Sequence, residues 1–297
     1  MKIGSARIGA SDRMIGEILV EAGRLSPEDV EKILHAQTES GLLFGETGIQ
    51  LGLLSDADML FALSQQFQYP YLPAGPTWPI SEEVVAAYQP FGPEGERLRA
   101  LRSQLQMRWV EASPKRTALA IVGSAHGEGR SNLAANLSVV FAQAGQRTLL
   151  IDGDMRAPRQ HKLFKLAPNH QGLSTLLAGR LFAQAVTYAP GIPGLGILPA
   201  GPVPPNPVEL LSRPTFHRIL EQGMSTFDVV IIDTPSLQHG ADAILLARFA
   251  GASLAVARTH LTRPSEFKEM VAYMNGSGIK VVGSALLDVP KKRTTLW

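Results

Sequence analysis

The segment 124–131, which reads SAHGEGRS, constrains the fold of this chain more than any other segment. It follows an apolar run, residues 118–122, and precedes a run with helical character, residues 132–144. A glycine-rich loop between a buried strand and a helix can wrap around a nucleotide phosphate, because its backbone N–H groups approach the anion closely. The sequence therefore predicts a phosphate-binding loop in a nucleotide-binding sheet.

The loop departs from the pattern G-x-x-x-x-G-K-[ST] at two positions. Ser124 stands where the first glycine is expected, and Arg130 stands where the lysine is expected. Arginine keeps the positive charge but presents a planar fork instead of a compact point charge. The hydroxyl of Ser131 stands where a Mg²⁺ ligand is expected. The predicted nucleotide-binding residues are His126, Gly127, Glu128, Gly129, Arg130, Ser131 and Asn132.

Carboxylates follow two further apolar runs of strand length. Asp152 and Asp154 follow the run 149–151, and Asp233 follows the run 229–232. Because the carboxyl ends of parallel strands meet at one edge of a sheet, we expect these side chains to lie beside the phosphate-binding loop. Ser131, Asp152 and Asp233 are therefore the predicted Mg²⁺ ligands, and ATP with Mg²⁺ is the expected cofactor pair.

Apolar strand-length runs alternate with helical stretches through most of the chain. The predicted strands lie near 117–124, 148–153, 194–199, 228–233, 253–258 and 279–287, and the predicted helices near 131–144, 207–222, 241–250 and 264–275. This alternation predicts an α/β fold with a doubly wound, mostly parallel sheet. The phosphate-binding loop that follows its first strand places the fold in the P-loop NTPase class.

The first seventy residues contain a repeat with an offset of 29 positions. Gly16 recurs as Gly45, and Ser26 recurs as Ser55, each serine beginning a Ser-x-x-acid helix cap. The sequence therefore predicts a small all-α module over 1–72. We expect a Pro- and Gly-rich linker over 73–95 and the P-loop domain over 96–297.

Composition excludes several classes of protein. The formal net charge is +2, which offers no electrostatic reason to bind nucleic acid or an anionic membrane. The chain has no cysteine, so disulfides and thiolate chemistry are excluded. The longest apolar stretch, 243–257, is too short to span a bilayer and is interrupted by Arg248. With no signal peptide visible, the expected location is cytoplasmic.

The segments 124–131, 149–156 and 229–235 together resemble the three nucleotide motifs of bacterial tyrosine kinases of exopolysaccharide biosynthesis, over roughly 94–288. The resemblance implies an autokinase that regulates polymer export and chain length with a membrane-anchored copolymerase partner, peripheral at the inner membrane. It also implies homo-oligomers formed through a charged helix. That helix carries Glu96, Arg99 and Arg102.

The N-terminal repeats resemble the N-terminal domain of type II secretion and pilus ATPases. In that family some members bind cyclic di-GMP, which would here involve Arg13 and Gly16. The alternative is a plain protein-contact module.

The predicted catalytic residues are Arg130, Asp152, Asp154 and Arg156. The two aspartates are candidates for accepting a tyrosine proton, and the arginines for stabilising charge on the transferred group. A mutual ion pair between Asp154 and Arg156 is the structural alternative. Kinases of the family that the chain resembles usually end in a tyrosine-rich tail, whereas the last ten residues here contain no tyrosine. Tyr69, Tyr71 and Tyr88 are therefore the expected substitute acceptors. A chromosome-partitioning-type ATPase and a catalytically weak nucleotide-binding regulator remain alternatives to the kinase.

Overall fold

The computed structural model describes residues 15–67, 69–72, 79–112, 117–167, 171–179 and 185–288. The chain divides into two compact units, Met1–Ala74 and Gly75–Trp297. Among the described residues, no helix combines the length and the apolar character needed to cross a membrane.

The described part of the first unit is helical, as predicted. Its helices are α1 (Ile15–Glu21), α2 (Pro27–Ser40), α3 (Phe44–Gln50) and α4 (Asp56–Gln66). Helix α1 packs against α4, and α2 packs against α3. The hydroxyls of Ser26 and Ser55 cap α2 and α4, each accepting the backbone N–H three residues later at 3.2 Å. The sequence repeat thus corresponds to two copies of one helical hairpin.

The repeated glycines allow these helices to approach closely. Gly16 is buried in α1, where an added Cβ would lie 3.3 Å from Cζ of Phe44. At Gly45 in α3 an added Cβ would lie 2.4 Å from Cε of Met59. Gly16 therefore has a packing role in the core of this unit. Arg13 lies outside the described residues, so cyclic di-GMP binding stays a prediction.

The second unit is built on one sheet. Its strands are β1 (Ala118–Gly123), β2 (Thr148–Asp152), β3 (Thr187–Tyr188), β4 (Leu195–Leu198), β5 (Val229–Asp233), β6 (Ala252–Arg258) and β7 (Lys280–Leu287). Their order is β3-β4-β2-β5-β1-β6-β7. All neighbouring pairs are parallel except β3 with β4. The predicted mostly parallel α/β sheet is confirmed, and β5 between β1 and β2 brings the three motifs together at one edge.

The helices of the second unit cover both faces of the sheet. They are α5 (Val85–Tyr88), α6 (Pro93–Leu105), α7 (Arg130–Gln143), α8 (Gln160–Leu163), α9 (Leu173–Leu177), α10 (Pro207–Leu211), α11 (Pro214–Thr226), α12 (Asp242–Ala250) and α13 (Pro264–Gly276). The helix predicted near 207–222 is in fact two helices. Pro214 forces Arg213 into an extended backbone, with φ −74° and ψ 149°, and begins α11 as its first residue.

The segment 79–92, expected to be part of a linker, packs against α7 instead. Ile80 is fully buried. The side chain of Asn136 accepts the backbone N–H of Ala86 at 2.9 Å, and Nε2 of Gln143 donates to the carbonyl of Ala86 at 2.9 Å. The prolines and glycines of this segment mark its turns, while its apolar residues join the core of the second unit.

Candidate functional site: a phosphate-binding loop with two buried carboxylates

The phosphate-binding loop follows β1 and leads into α7, as predicted. Gly127 and Gly129 have φ values of 80° and 93°, in the left-handed region that a residue with a Cβ rarely adopts. An added Cβ at Gly129 would lie 2.9 Å from Cδ1 of Leu287. Helix α7 begins at Arg130, and the N–H groups of a first helical turn have no intrahelical partners. The geometry therefore suits an anion at this end of the helix.

Asp152 and Asp233 lie side by side at the ends of β2 and β5, where they are paired in the register. Both residues are fully buried. Burial and the neighbouring Asp233 raise the pKa of Asp152 well above its ordinary value, although the backbone N–H groups of Gln160 and Arg159 oppose the rise. Burial likewise raises the pKa of Asp233 to about 6, and the Gln160 amide and the Ser131 hydroxyl oppose that rise.

Gln160, at the start of α8, connects the two carboxylates. Its backbone N–H donates to Oδ2 of Asp152 at 2.9 Å. Its Nε2 donates to Oδ2 of Asp233 at 2.8 Å and to the carbonyl of Ser131 at 3.0 Å. Oδ1 of Asp233 accepts no hydrogen bond from the described residues, so it is available to a ligand. Sequence reasoning missed Gln160, because an uncharged amide outside any motif has no recognisable signal.

The side chain of Arg130 turns into the loop. Its Nη1 donates to the carbonyl of Ala125 at 2.6 Å and to Oε2 of Glu128 at 3.1 Å, and its Nε donates to the carbonyl of Thr234 at 3.2 Å. Arg130 is 6% exposed and Glu128 is fully buried. Burial lowers the pKa of Arg130, while Asp233 and Glu128 oppose this change. The side chain of Glu128, predicted to bind nucleotide, thus forms an internal ion pair and leaves only its backbone to a ligand.

Arg156 pairs with Asp242, at the start of α12, and not with Asp154. Its Nε lies 2.5 Å from Oδ2 of Asp242, whose side chain is 2% exposed. Oδ1 of Asp154 instead accepts the backbone N–H groups of Arg156 at 3.1 Å and Ala157 at 2.9 Å. The alternative of a mutual Asp154–Arg156 ion pair is therefore wrong, because the arginine reaches a buried carboxylate that follows β5.

The other predicted loop residues have distinct surroundings. His126 is exposed. Nδ2 of Asn132 donates to the carbonyl of Glu83 at 2.8 Å, so this side chain supports the segment 79–92. The carbonyl of Gly127 accepts Nη1 of Arg258 at 2.9 Å, which ties the loop to the end of β6.

A cavity of about 850 Å³ opens beside the loop. Its basic lining residues are His126, Arg156, Arg159, His161 and Lys162. Arg156 is held by Asp242, and Nη2 of Arg159 lies 2.9 Å from the carboxylate of Glu83. The cavity therefore presents oriented cationic groups next to the predicted phosphate position.

The strand-end residues fit a magnesium ion that is shared with a phosphate. No three His, Asp or Glu side chains in the described part of the chain form a cage for a metal. Mg²⁺ commonly binds one or two carboxylates and takes water and phosphate oxygens as its other ligands. Asp152, Asp233 and the Ser131 hydroxyl supply such a partial set, and the unpartnered Oδ1 of Asp233 suits a cation.

The charged residues expected at a subunit contact lie on α6. Arg99 pairs with Glu96, donates to the carbonyl of Pro90, and lies over the ring of Phe91 with 5.2 Å to the ring centre. Arg99 therefore anchors the turn that precedes its own helix. Nε of Arg102 is buried without a hydrogen-bond partner among the described residues.

Several known proteins are similar to this chain. No family model matches the chain. The chain is 34% identical over 196 residues to the tyrosine-protein kinase YwqD of Bacillus subtilis, covering 65% of this chain and 81% of YwqD. It is 34% identical over 202 residues to the tyrosine-protein kinase Etk of Escherichia coli K12, covering 68% of this chain. That match spans 27% of the length of Etk.

Two solved structures also superpose on this chain. The kinase domain of Etk superposes with a TM-score of 0.67 at 32% identity, covering 77% of this chain and 88% of that domain. The chimeric protein CapA2B2 superposes with a TM-score of 0.65 at 32% identity, covering 77% of this chain and 98% of that one. The expected P-loop kinase fold is confirmed, and a partitioning-type ATPase is not favoured. Because the match to YwqD covers most of that protein, this chain belongs to the bacterial tyrosine-protein kinase family.

Proposed function

We propose that this chain is an ATP-dependent autokinase that transfers a phosphoryl group from ATP to tyrosine hydroxyls. The observation that carries the proposal is the pair of fully buried carboxylates, Asp152 and Asp233, beside the phosphate-binding loop. Two adjacent buried acids destabilise a protein unless a cation balances them. Phosphoryl transfer asks a protein chiefly for positioning and for neutralisation of charge, which this arrangement suits.

The nucleotide is held by the loop and the first turn of α7. The backbone N–H groups at Gly127, Gly129 and Arg130 bind phosphate oxygens, as the left-handed glycines and the helix start allow. Ser131, Asp152 and Asp233 hold Mg²⁺. When bound, this ion supplies positive charge next to the phosphates.

Asp154 is the proton acceptor that we favour for the tyrosine hydroxyl. It is partly exposed, whereas Asp152 is fully buried and accepts two backbone N–H groups through Oδ2. Arg156, held by Asp242 at the wall of the cavity, contributes positive charge where the transferred group passes. The basic cavity is the proposed entrance for the tyrosine.

The acceptor is an exposed tyrosine. Tyr88 is unsuitable, because it is 4% exposed and its hydroxyl donates to the carbonyl of Ile80 at 2.6 Å and accepts its N–H at 3.0 Å. Tyr188, on the edge strand β3, is 63% exposed, and Tyr273, on α13, is 58% exposed. Tyr69 and Tyr71, expected from the sequence, are partly exposed and stay candidate acceptors beside these two.

The biological role that we propose is regulation of exopolysaccharide polymerisation, export and chain length. The support is the resemblance of 94–288 to kinases of exopolysaccharide clusters. A membrane-anchored copolymerase would then be the partner that holds this chain at the inner membrane. Homo-oligomers formed through α6 would bring the tyrosine of one copy to the site of another.

The test is incubation of the purified chain with labelled ATP and Mg²⁺, followed by mass spectrometric mapping. The expected result is phosphotyrosine that disappears in the Asp152→Asn variant. Release of phosphate without phosphotyrosine would favour a partitioning-type ATPase. Binding of ATP with neither product would favour a nucleotide-binding regulator.

A further inference from the structure

The unusual residues of the phosphate-binding loop are joined in one buried hydrogen-bond network. Oε1 of Glu128 accepts the hydroxyls of Ser124 at 2.8 Å and Thr262 at 2.6 Å, and Oε2 pairs with Nη1 of Arg130 at 3.1 Å. Ser124 and Arg130 are the two positions at which the loop departs from the common pattern. The fully buried carboxylate of Glu128 needs a cation and hydrogen-bond donors beside it. Ser124 and Arg130 supply these groups, so the two unusual residues depend on each other through Glu128.

The surroundings of the network are adapted to it. An added Cβ at Gly123 would lie 2.3 Å from Oε2 of Glu128 and 2.7 Å from Nη1 of Arg130, so the ion pair occupies the space of a side chain there. Thr262 belongs to the connection between β6 and α13, and its hydroxyl also accepts the backbone N–H of Arg258 at 2.9 Å. The network thus fixes the loop to a neighbouring strand.

The hydrogen bonds of Arg130 leave one end of its guanidinium unused. A guanidinium has five N–H donors in a planar fork. Nε donates to Thr234, and the two N–H groups of Nη1 donate to Ala125 and Glu128. Nη2 donates to none of the described residues. Its two N–H groups can therefore bind a phosphate while the other three bonds stay in place.

We infer that Glu128 is a positioning residue, which holds one side of the Arg130 guanidinium so that Nη2 faces the nucleotide phosphates. Arg130 and Glu128 then form a matched pair, in which each side chain is needed for the other to be useful. A lysine at this position has a single nitrogen, which Glu128 would capture and draw away from the phosphate. The inference rests on the proposed nucleotide site and explains why that site carries arginine.

The experiment measures Mg-ATP binding by calorimetry in a double-mutant cycle. We expect Glu128→Gln and Arg130→Lys each to weaken binding about tenfold, because each breaks the matched pair. The double variant should also bind only about tenfold more weakly than the wild type, because a lysine free of the carboxylate can reach the phosphate. An additive loss of about a hundredfold would overturn the inference, as would tighter binding by Arg130→Lys alone.

Thr262 provides an independent probe outside the loop, useful if a Glu128 variant does not fold. Thr262→Val removes the hydroxyl that orients Glu128 and should weaken Mg-ATP binding about threefold, whereas Thr262→Ser should restore it. Comparing the unfolding midpoints of the wild type and the Thr262 variants without nucleotide separates weaker Mg-ATP binding from a general loss of stability. Asp228→Asn, which breaks the exposed pair with Arg147, should leave binding unchanged.

Two outcomes distinguish this inference from the proposed function. Wild-type binding in Thr262→Val and Glu128→Gln would overturn the positioning role while leaving the nucleotide site intact. Failure of the unmodified chain to bind Mg-ATP would overturn the site itself and the inference with it.

Discussion

Asp152 and Asp233 face each other across the register of β2 and β5, with both carboxylates fully buried. Burial next to another acid raises the pKa of each above its ordinary value. The pair is therefore a site of stored electrostatic repulsion, which a bound cation would relieve. At these two positions the acidic side chains favour cation binding but lower the stability of the nucleotide-free protein.

Asp233→Asn should stabilise the nucleotide-free protein. The folded-state pKa of about 6 exceeds the ordinary 3.8, so the folded state binds this proton more tightly than the unfolded state. The contribution of Asp233 to the free energy of unfolding therefore falls as pH rises from about 4 to 6, and stays low above that. At neutral pH the variant should gain on the order of 2 kcal/mol while losing Mg-ATP binding. Denaturant unfolding at pH 5 and pH 8 checks this, and a variant less stable than wild type at pH 8 would contradict it.

Mg-ATP binding should strengthen as pH rises through about 6, the pKa of Asp233. The carboxylates must lose their protons before they bind a cation, so binding below this pH releases protons. Calorimetry at pH 5.5 in two buffers of different ionisation enthalpy would measure this release. A Mg-ATP affinity that does not change between pH 5 and pH 8 would rule out a titrating carboxylate as the metal ligand.

The fold was more predictable from the sequence than the site. Six of the seven strands were predicted, because each is a short apolar run and such runs indicate a buried strand. Gln160 and Thr262 had no such signal, because their bonds to Asp233 and Glu128 join residues far apart in the chain. The prediction of a linker over 73–95 was limited for a similar reason. Composition marks turns but does not report which apolar residues find a partner.

Gln160→Ala should weaken both the site and the fold. The substitution removes the amide that donates to Asp233 and to the carbonyl of Ser131, so it leaves buried acceptors unsatisfied. We expect a loss of about 1–2 kcal/mol in the free energy of unfolding and a severalfold loss of Mg-ATP affinity. Gln160→Glu should lower the free energy of unfolding further, because it places a third buried acid beside Asp152 and Asp233. Calorimetry and denaturant unfolding of both variants test the order, and equal effects would show that charge is unimportant here.

Gly129→Val should abolish Mg-ATP binding. The residue has φ 93°, and its side chain would meet Leu287 and fill the space that phosphate requires. Gly145→Ala is a matched control, since Gly145 has φ 83° and nothing lies within 4 Å of an added Cβ. It should lose about 1 kcal/mol of stability from backbone strain and still bind ATP. Calorimetry on both folded variants separates strain from loss of the phosphate site.

Assembly should depend on Arg102 more directly than on Arg99. Arg99 is held within its own chain by Glu96 and the carbonyl of Pro90, so its removal loosens the start of α6. Arg102 is partly exposed, and within the described part of the chain its side chain makes one hydrogen bond, a long one of 3.5 Å to the adjacent Ser103. If α6 forms the subunit contact, Arg102→Glu should lower the mass seen by light scattering and abolish phosphorylation in trans, while ATP still binds.

Arg97→Glu supplies the matched control for this assembly test, because it reverses an exposed charge on the same helix. It should leave the mass and the phosphorylation in trans unchanged. An equal loss of mass in both variants would mean that the overall charge of α6 matters and Arg102 has no specific role. An unchanged mass in Arg102→Glu would mean that this part of α6 is only solvated surface.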